Sequence, residues 1–240
     1  MIDISEQDGI ATVRISHGKV NALDLELARG LRDAFESFSS YRAVVLTGNG
    51  RAFSAGADLR RLLDEGEPYA VEFLTALEEL YATAFACRMP VVAAIEGHAI
   101  AGGCVLAATA DVRLMSGGTI GLPELVVGVP FPVVTVEIMR HVLGHRLASV
   151  VYGAKAYAPD DALRAGLIDE VVAADLLLAS ARERAEALAA SPPSTFTRVK
   201  GSLRAPAAER IGAARGEGAL MARLWTLPEV SAALSRVLAR

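Results

Sequence analysis

Two stretches of small residues follow apolar runs in this sequence, and both have a composition that leaves backbone N–H groups open to a ligand. The first is Leu46-Thr47-Gly48-Asn49-Gly50-Arg51-Ala52-Phe53-Ser54-Ala55-Gly56-Ala57-Asp58-Leu59, whose short side chains do not cover the main chain. An ordinary turn fits the same residues. The second is Ala94-Ile95-Glu96-Gly97-His98-Ala99-Ile100-Ala101-Gly102-Gly103-Cys104-Val105-Leu106-Ala107, where glycines open an apolar helix whose first amides suit an oxyanion. Close packing of that helix on a sheet is the competing reading. Neither stretch is a nucleotide motif. Phe53 replaces the third glycine of a dinucleotide fingerprint, and Cys104 and Val105 stand where a P-loop requires Lys and Ser or Thr. Cys104 at a helix start is either a thiol of lowered pKa or a buried structural thiol. His141 and His145 have helix-compatible spacing, but Val142 replaces the glutamate of a zinc protease motif and no third ligand is suggested, so no metal is expected.

The elements that must position these groups alternate between strand and helix. Ile10 to Ile15 alternates like a half-buried strand, while Ala43 to Leu46 and Pro90 to Ile95 read as fully buried strands. Helical faces follow over Leu23 to Phe38 and Tyr69 to Phe85. Further strands are expected at Asp111 to Met115 and Leu167 to Val172, with an amphipathic segment from Ala158 to Ala165. The fold class is therefore α/β. After Asp175 only helical patterns remain, and Ser191-Pro192-Pro193-Ser194 breaks them, which places a boundary between a core of residues 1–190 and a C-terminal helical region of residues 191–240. Such a tail has apolar positions that it cannot cover alone, which fits packing on the core or on a second copy.

Composition narrows the classes of function. The 240 residues are 52% hydrophobic and 22% charged, enough for a sizeable core. A net charge of -4 with scattered Lys and Arg gives no basic stripe, so nucleic acid is not an expected partner. Two cysteines without a C-x-x-C pair fit a reducing compartment, and the acidic N-terminus lacks the regions of a signal peptide. Val91 to Ala110 imitates a membrane span only until Gly97, Gly102 and Gly103 are counted; strand, turn and buried helix explain it better. A soluble cytoplasmic protein without membrane partners is expected.

Five motifs in order then resemble the enoyl-CoA hydratase/isomerase (crotonase) superfamily, over nearly the whole chain. Val20-Asn21-Ala22-Leu23 is similar to its N-A-L motif, Ala52 to Leu59 to its A-F-S-A-G-A-D-L loop, and Gly97 to Ala107 to its second oxyanion segment. Ile120-Gly121-Leu122-Pro123-Glu124 matches the acid-bearing loop and Ala162 to Val172 a late A-x-x-x-G-L-I-D-x-V signature. The resemblance implies a spiral of ββα units with C-terminal helices that build a homotrimer or a dimer of trimers. It also implies an acyl-CoA substrate, no permanently bound cofactor, coenzyme A arriving as part of the substrate, and an oxyanion hole from the N–H groups of Ala57 and Gly102. Ala55, Gly56, Ala57, Asp58 and Leu59 would meet the coenzyme; Arg51 and Arg60 would stand near its phosphates or be solvated surface charges. Gly103, Val105 and Phe131 would border the acyl site, Phe131 either narrowing it or filling the core. In this family a cysteine at the place of Cys104 is common without a covalent role.

One departure decides between reactions. Hydratases of the family have a glutamate directly after the G-G-C segment and another in the P-E loop; here Val105 and Glu124 occupy those places. Hydration needs a second group to orient water or deliver a proton, whereas moving a double bond from C3 to C2 needs one base. The resemblance therefore implies an isomerase with Glu124 as proton carrier, its pKa raised by an apolar pocket; as a plain first-turn helix residue, Glu124 would instead only favour the dipole. A hydratase, a thioester hydrolase and a non-catalytic acyl-CoA-binding protein are the alternatives.

Overall fold

The computed structural model describes residues 1–239. The chain opens with an antiparallel hairpin, β1 (Ile2–Gln7) and β2 (Ile10–Ile15), turned by Asp8 and Gly9 with positive φ. Helix α1 (Leu25–Ser37) follows, then β3 (Ala43–Thr47), β4 (Ala52–Ser54) and α2 (Leu59–Phe85). The same order recurs in β5 (Val91–Ile95), β6 (His98–Ile100), α3 (Gly102–Ala108), and again in β7 (Val112–Met115), β8 (Ile120–Gly121), α4 (Glu124–Val127). Helices α5 (Val133–Leu143) and α6 (Leu147–Gly153), strand β9 (Ala156–Tyr157), helix α7 (Pro159–Ala165) and strand β10 (Glu170–Val171) complete the mixed part. Four helices close the chain: α8 (Leu177–Ala189), α9 (Pro193–Ala213), α10 (Gly218–Trp225) and α11 (Pro228–Leu238).

From β3 onward, each ββα turn contributes its first strand to one sheet and its second to another. The six-stranded sheet runs β1-β2-β3-β5-β7-β10 and is parallel beyond the β1/β2 pair; the four-stranded sheet runs β4-β6-β8-β9. The chain is thus a spiral, and the loops at the exit of β4 and of β6 come side by side because β4 and β6 pair in parallel. Strands β3 and β5 are buried on both faces, as their unbroken apolar runs require. Val44, Leu46, Val91 and Ala93 belong to the main core, which also takes in the buried residues of α1 and α2, while Val45, Val92 and Ala94 pack with Leu177, Ala181 and Ala185 of α8.

Several boundaries differ from the sequence expectation, and the strand expected over Leu167 to Val172 shortens to Glu170–Val171. Residues Ile2–Gln7 form a strand that is mostly exposed and is held by its ladder to β2, not by burial. Helix α1 starts at Leu25 because Asp24 caps it by accepting from Leu27 N, which leaves Leu23 to bridge to Ala57. Helix α2 begins at Leu59, ten residues before the expected start, and breaks at Gly66 (φ 70°, ψ -157°), with Pro68 in the first turn of the resumed stretch.

Helix α9 is tied to the core by buried charges. The Asp111 carboxylate accepts from Val91 N (2.8 Å), Lys200 Nζ (2.6 Å) and Arg204 Nη2 (2.7 Å), and Arg204 also donates to Thr109 O (3.0 Å) and lies over the Phe85 ring. Burial holds the Lys200 ammonium below its ordinary pKa, partly offset by Asp111. Removing one member of such a network leaves an uncompensated buried charge, a cost of about 3 to 5 kcal/mol.

Candidate active site

Asn21 is fully buried in the left-handed region (φ 51°), where asparagine is better tolerated than most residues. Its amide donates to Ile15 O (3.0 Å), Ala52 O (2.9 Å) and Phe53 O (3.2 Å), clamping the end of β2 to β4. Ser54 Oγ donates to Asn21 O (2.8 Å) and accepts from Gly56 N (3.2 Å). Leu23 N then donates to Gly56 O and Asp58 N to Leu23 O, both at 2.8 Å, so the peptides on either side of Ala57 face Leu23. Asp58 caps α2 by accepting from Arg61 N (3.0 Å). Ala57 N–H is left over: among the described residues nothing accepts from it.

The second donor is set by strain. Ala101 holds φ 53° and ψ -122°, a conformation that L-residues adopt at a cost of about 1 to 3 kcal/mol. It is pinned by Ala101 N donating to Gly121 O (2.8 Å) and by the Tyr81 hydroxyl donating to Gly102 O (2.8 Å). The Gly102 peptide is thereby rotated so that its N–H starts α3 with no acceptor among the described residues. The β4 and β6 exits approach so closely that a Cβ at Gly56 (φ +83°) would lie 2.8 Å from Ile100 O, and one at Gly103 would lie 2.2 Å from Ser54 O. Glycine is required at both.

Glu124 opens α4 beneath these loops, with Gly128 (φ 82°) ending that single turn. Its side chain is 7% exposed and Oε2 is buried without a hydrogen-bond partner among the described residues. Burial pushes its carboxyl up to about 7, partly opposed by a backbone N–H. The carboxyl can therefore both take and give a proton near neutral pH.

Of the residues singled out in the sequence, Ala55, Ala57, Leu59, Gly102, Val105, Glu124 and Phe131 line one narrow cavity of about 70 Å³. Gly56, Asp58 and Gly103 stand behind the wall as turn, cap and packing contact. Arg51 and Arg60 are exposed and make no ion pair among the described residues. The Cys104 thiol is buried and pushed well above its ordinary pKa, first by burial and then by the Glu124 charge, which leaves it unreactive. His141 packs edge-on against Phe85 (5.3 Å between centroids), its pKa lowered mainly by burial. Among the described residues no cluster of three or more His, Cys, Asp or Glu side chains is arranged to hold a metal, and no helix is long and apolar enough to cross a membrane.

The sequence reading missed Tyr81, Thr135 and Trp225, which also line the cavity. Tyr81 is 1% exposed, and burial keeps its phenol protonated as a donor. Tyr81→Phe removes one neutral hydrogen bond from the Gly102 peptide, so kcat should fall about tenfold at nearly constant KM. Steady-state kinetics check this; an unchanged kcat would show that Ala101 alone holds the donor.

Comparison with known proteins identifies the family and the fold. The family model described as Enoyl-CoA hydratase/isomerase matches residues 5–222. The rat mitochondrial enoyl-CoA delta isomerase 1 is 31% identical over 76% of this chain and 66% of its own length. The 2,3-dehydroadipyl-CoA hydratase of Escherichia coli (strain K12) is 33% identical over 77% of this chain and 72% of its own. The crystal structure of human mitochondrial delta3-delta2-enoyl-CoA isomerase superposes with a TM-score of 0.95 at 25% identity, covering 100% of this chain and 97% of that one.

Proposed function

The chain belongs to the enoyl-CoA hydratase/isomerase family of acyl-CoA enzymes, and from that premise we propose that it shifts the double bond of a 3-enoyl-CoA to the 2-trans position. The observation that carries this reading is the pairing of Val105, 1% exposed, with Glu124 as the sole carboxylate that lines the cavity among the described residues. The thioester carbonyl accepts from Ala57 N–H and Gly102 N–H. Glu124 removes a proton from C2, the negative charge moves onto the thioester oxygen as an enolate, and the same carboxyl returns the proton at C4. Two fixed donors strengthen their bonds as that charge forms, each contributing about 3 to 4 kcal/mol to lowering the barrier. Ala55 to Leu59 border the coenzyme, with Arg51 and Arg60 near its phosphates.

Hydration is the competing reading, since a hydratase stands among the relatives. Assay of both reactions decides. Isomerisation of 3-enoyl-CoA should exceed hydration of 2-enoyl-CoA by at least about a hundredfold, as expected when one of two general catalysts is missing; comparable rates would reverse the assignment.

The C-terminal helices support assembly. Val199 (55% exposed) and Leu203 (66%) lie one turn apart on the outer face of α9, with Leu220 (54%) exposed on α10. The protein forms a trimer or a pair of trimers through the helices beyond Ser191. Light scattering should give three or six times the 25.2 kDa chain mass, and a monodisperse monomer at micromolar concentration would defeat it.

A further inference from the structure

The catalytic reading uses the far ends of the two glycine-bearing loops, where Ala57 and Gly102 present their N–H groups. The near ends carry a separate set of contacts. Strands β3 and β5 pair in parallel with Thr47 beside Ala94, so both segments leave the large sheet at the same place. Glu96 is the first residue beyond β5, and its side chain reaches back across this exit. Its Oε2 accepts from Thr47 Oγ1 (2.6 Å) and its Oε1 from Gly50 N (3.2 Å). Oε1 also lies 3.8 Å from Arg14 Nη1, which itself donates to Gly48 O (2.9 Å). One carboxylate thereby ties together β2, the end of β3 and the turn that follows it.

That turn carries Arg51. Asn49 Oδ1 accepts from Arg51 N (3.1 Å) and Ala52 N (3.2 Å), and the second loop presses on the same stretch: a Cβ at Gly97 would lie 2.0 Å from Arg51 O. The main chain at Arg51 is therefore held by Glu96 through Gly50, by Asn49 and by Gly97. Its side chain is exposed and makes no ion pair among the described residues. The Glu96 carboxylate is already met by Arg14, a hydroxyl and an N–H, so it does not draw the Arg51 guanidinium onto itself. A cation rooted on fixed backbone loses less freedom when it meets an anion than one on a mobile loop.

We propose that Glu96 is a positioning residue: it holds the turn from which Arg51 reaches the phosphates of the coenzyme, so that capture of the nucleotide end of the substrate depends on it and proton transfer at Glu124 does not. This assignment rests on the acyl-CoA reading and on the placement of Arg51 given above. The two ends of the loops are separable because the donor end has its own fastenings in Asn21, Ser54 and the Tyr81 hydroxyl. A contact remote from the reacting carbons shows itself when whole and truncated substrates are compared.

The test compares kcat/KM for 3-hexenoyl-CoA with that for 3-hexenoyl-pantetheine, which lacks the nucleotide and its phosphates. Arg51→Ala should lower the ratio of the two about fivefold, the scale of one exposed charge pair, and Glu96→Ala should lower it by a similar factor. The double variant should fall no further than Arg51→Ala, since both changes remove one contact. Glu96→Gln still offers an oxygen to Gly50 N and should restore most of the ratio. Glu96→Asp keeps the charge but falls one methylene short; it should lower the ratio and serves where the alanine variant does not fold. Equal losses on both thioesters, or additive losses in the double variant, would overturn the proposal in favour of a purely structural tie. If Arg51→Ala lowers the ratio and no Glu96 variant does, the positioning role is overturned while the acyl-CoA reading stands. If Arg51→Ala leaves the ratio unchanged, the proposal falls with the placement of Arg51, and if the parent turns over neither thioester, it falls together with the isomerase reading.

Discussion

Glu124→Gln should reduce turnover of 3-enoyl-CoA by about 10³ to 10⁴-fold while leaving the affinity for a saturated acyl-CoA within a factor of a few. The amide fills the same volume and can still donate a hydrogen bond, but it accepts no proton from C2, and a positioned general base contributes on the order of 10² to 10⁴. Because burial holds the carboxyl up at about 7, kcat/KM of the unmodified protein should rise through neutral pH as the base form fills, and this limb should vanish in the variant. Stability supplies an independent readout. The folded state favours protonated Glu124, while in the unfolded chain the carboxyl titrates near its ordinary value of 4.5. The folded protein therefore binds more protons between those values and loses stability as pH rises from about 4.5 through 7. At about 1.4 kcal/mol per tenfold change in proton affinity, the loss is about 3 kcal/mol at pH 8, and Glu124→Gln removes it. The variant should melt higher than the parent at pH 8, with the gap closing at pH 5. A variant that retains turnover, or that melts lower than its parent at both pH values, would remove Glu124 from the role of buried base.

The fold and the reacting groups differ in how far sequence exposes them. Strands β2, β3 and β5 could be read because each buries one or both faces and therefore shows its period directly in residue type. Strands β4, β6 and β8 are two or three residues long, too short to carry a period, yet they bring the two donor loops together. The loops themselves were legible because their function constrains side chains to be small, as the 2.8 and 2.2 Å approaches at Gly56 and Gly103 demand. Tyr81 was hidden for the opposite reason. It is one aromatic among Leu77, Leu80 and Phe85 on a long helix, and only the tertiary fold brings its hydroxyl to Gly102 O. Lys200 and Arg204 mislead in the same way: on a helix with exposed Val199 and Leu203 they look like solvent residues, but Asp111 draws them into the core.

Val105→Glu asks whether the missing carboxylate is what separates this site from a hydratase. Val105 lies on α3 one turn beyond the free Gly102 N–H, with its N–H donating to Ala101 O (3.1 Å), and its side chain faces the cavity that Glu124 shares. A carboxyl there would stand in the same small, apolar space as Glu124, so like-charge repulsion and burial would keep one proton on the pair near neutral pH. One member would then be an acid and the other a base, the combination that adding water to a double bond requires. Hydration of 2-enoyl-CoA should rise at least about tenfold, as a second general acid or base contributes. Isomerisation should fall by a similar factor, because a proton shared between two carboxyls leaves Glu124 less often as the free base. The added polar group also costs stability, about 2 to 3 kcal/mol where its hydrogen bonds are unmet, so melting temperature is measured alongside both rates. Val105→Gln separates charge from volume: it should destabilise comparably and gain no hydration. Equal hydration gains in Glu and Gln variants would show that a polar group to orient water, not a second acid, is what the parent lacks, and unchanged hydration in a folded Glu variant would show that Val105 does not face the reacting carbons.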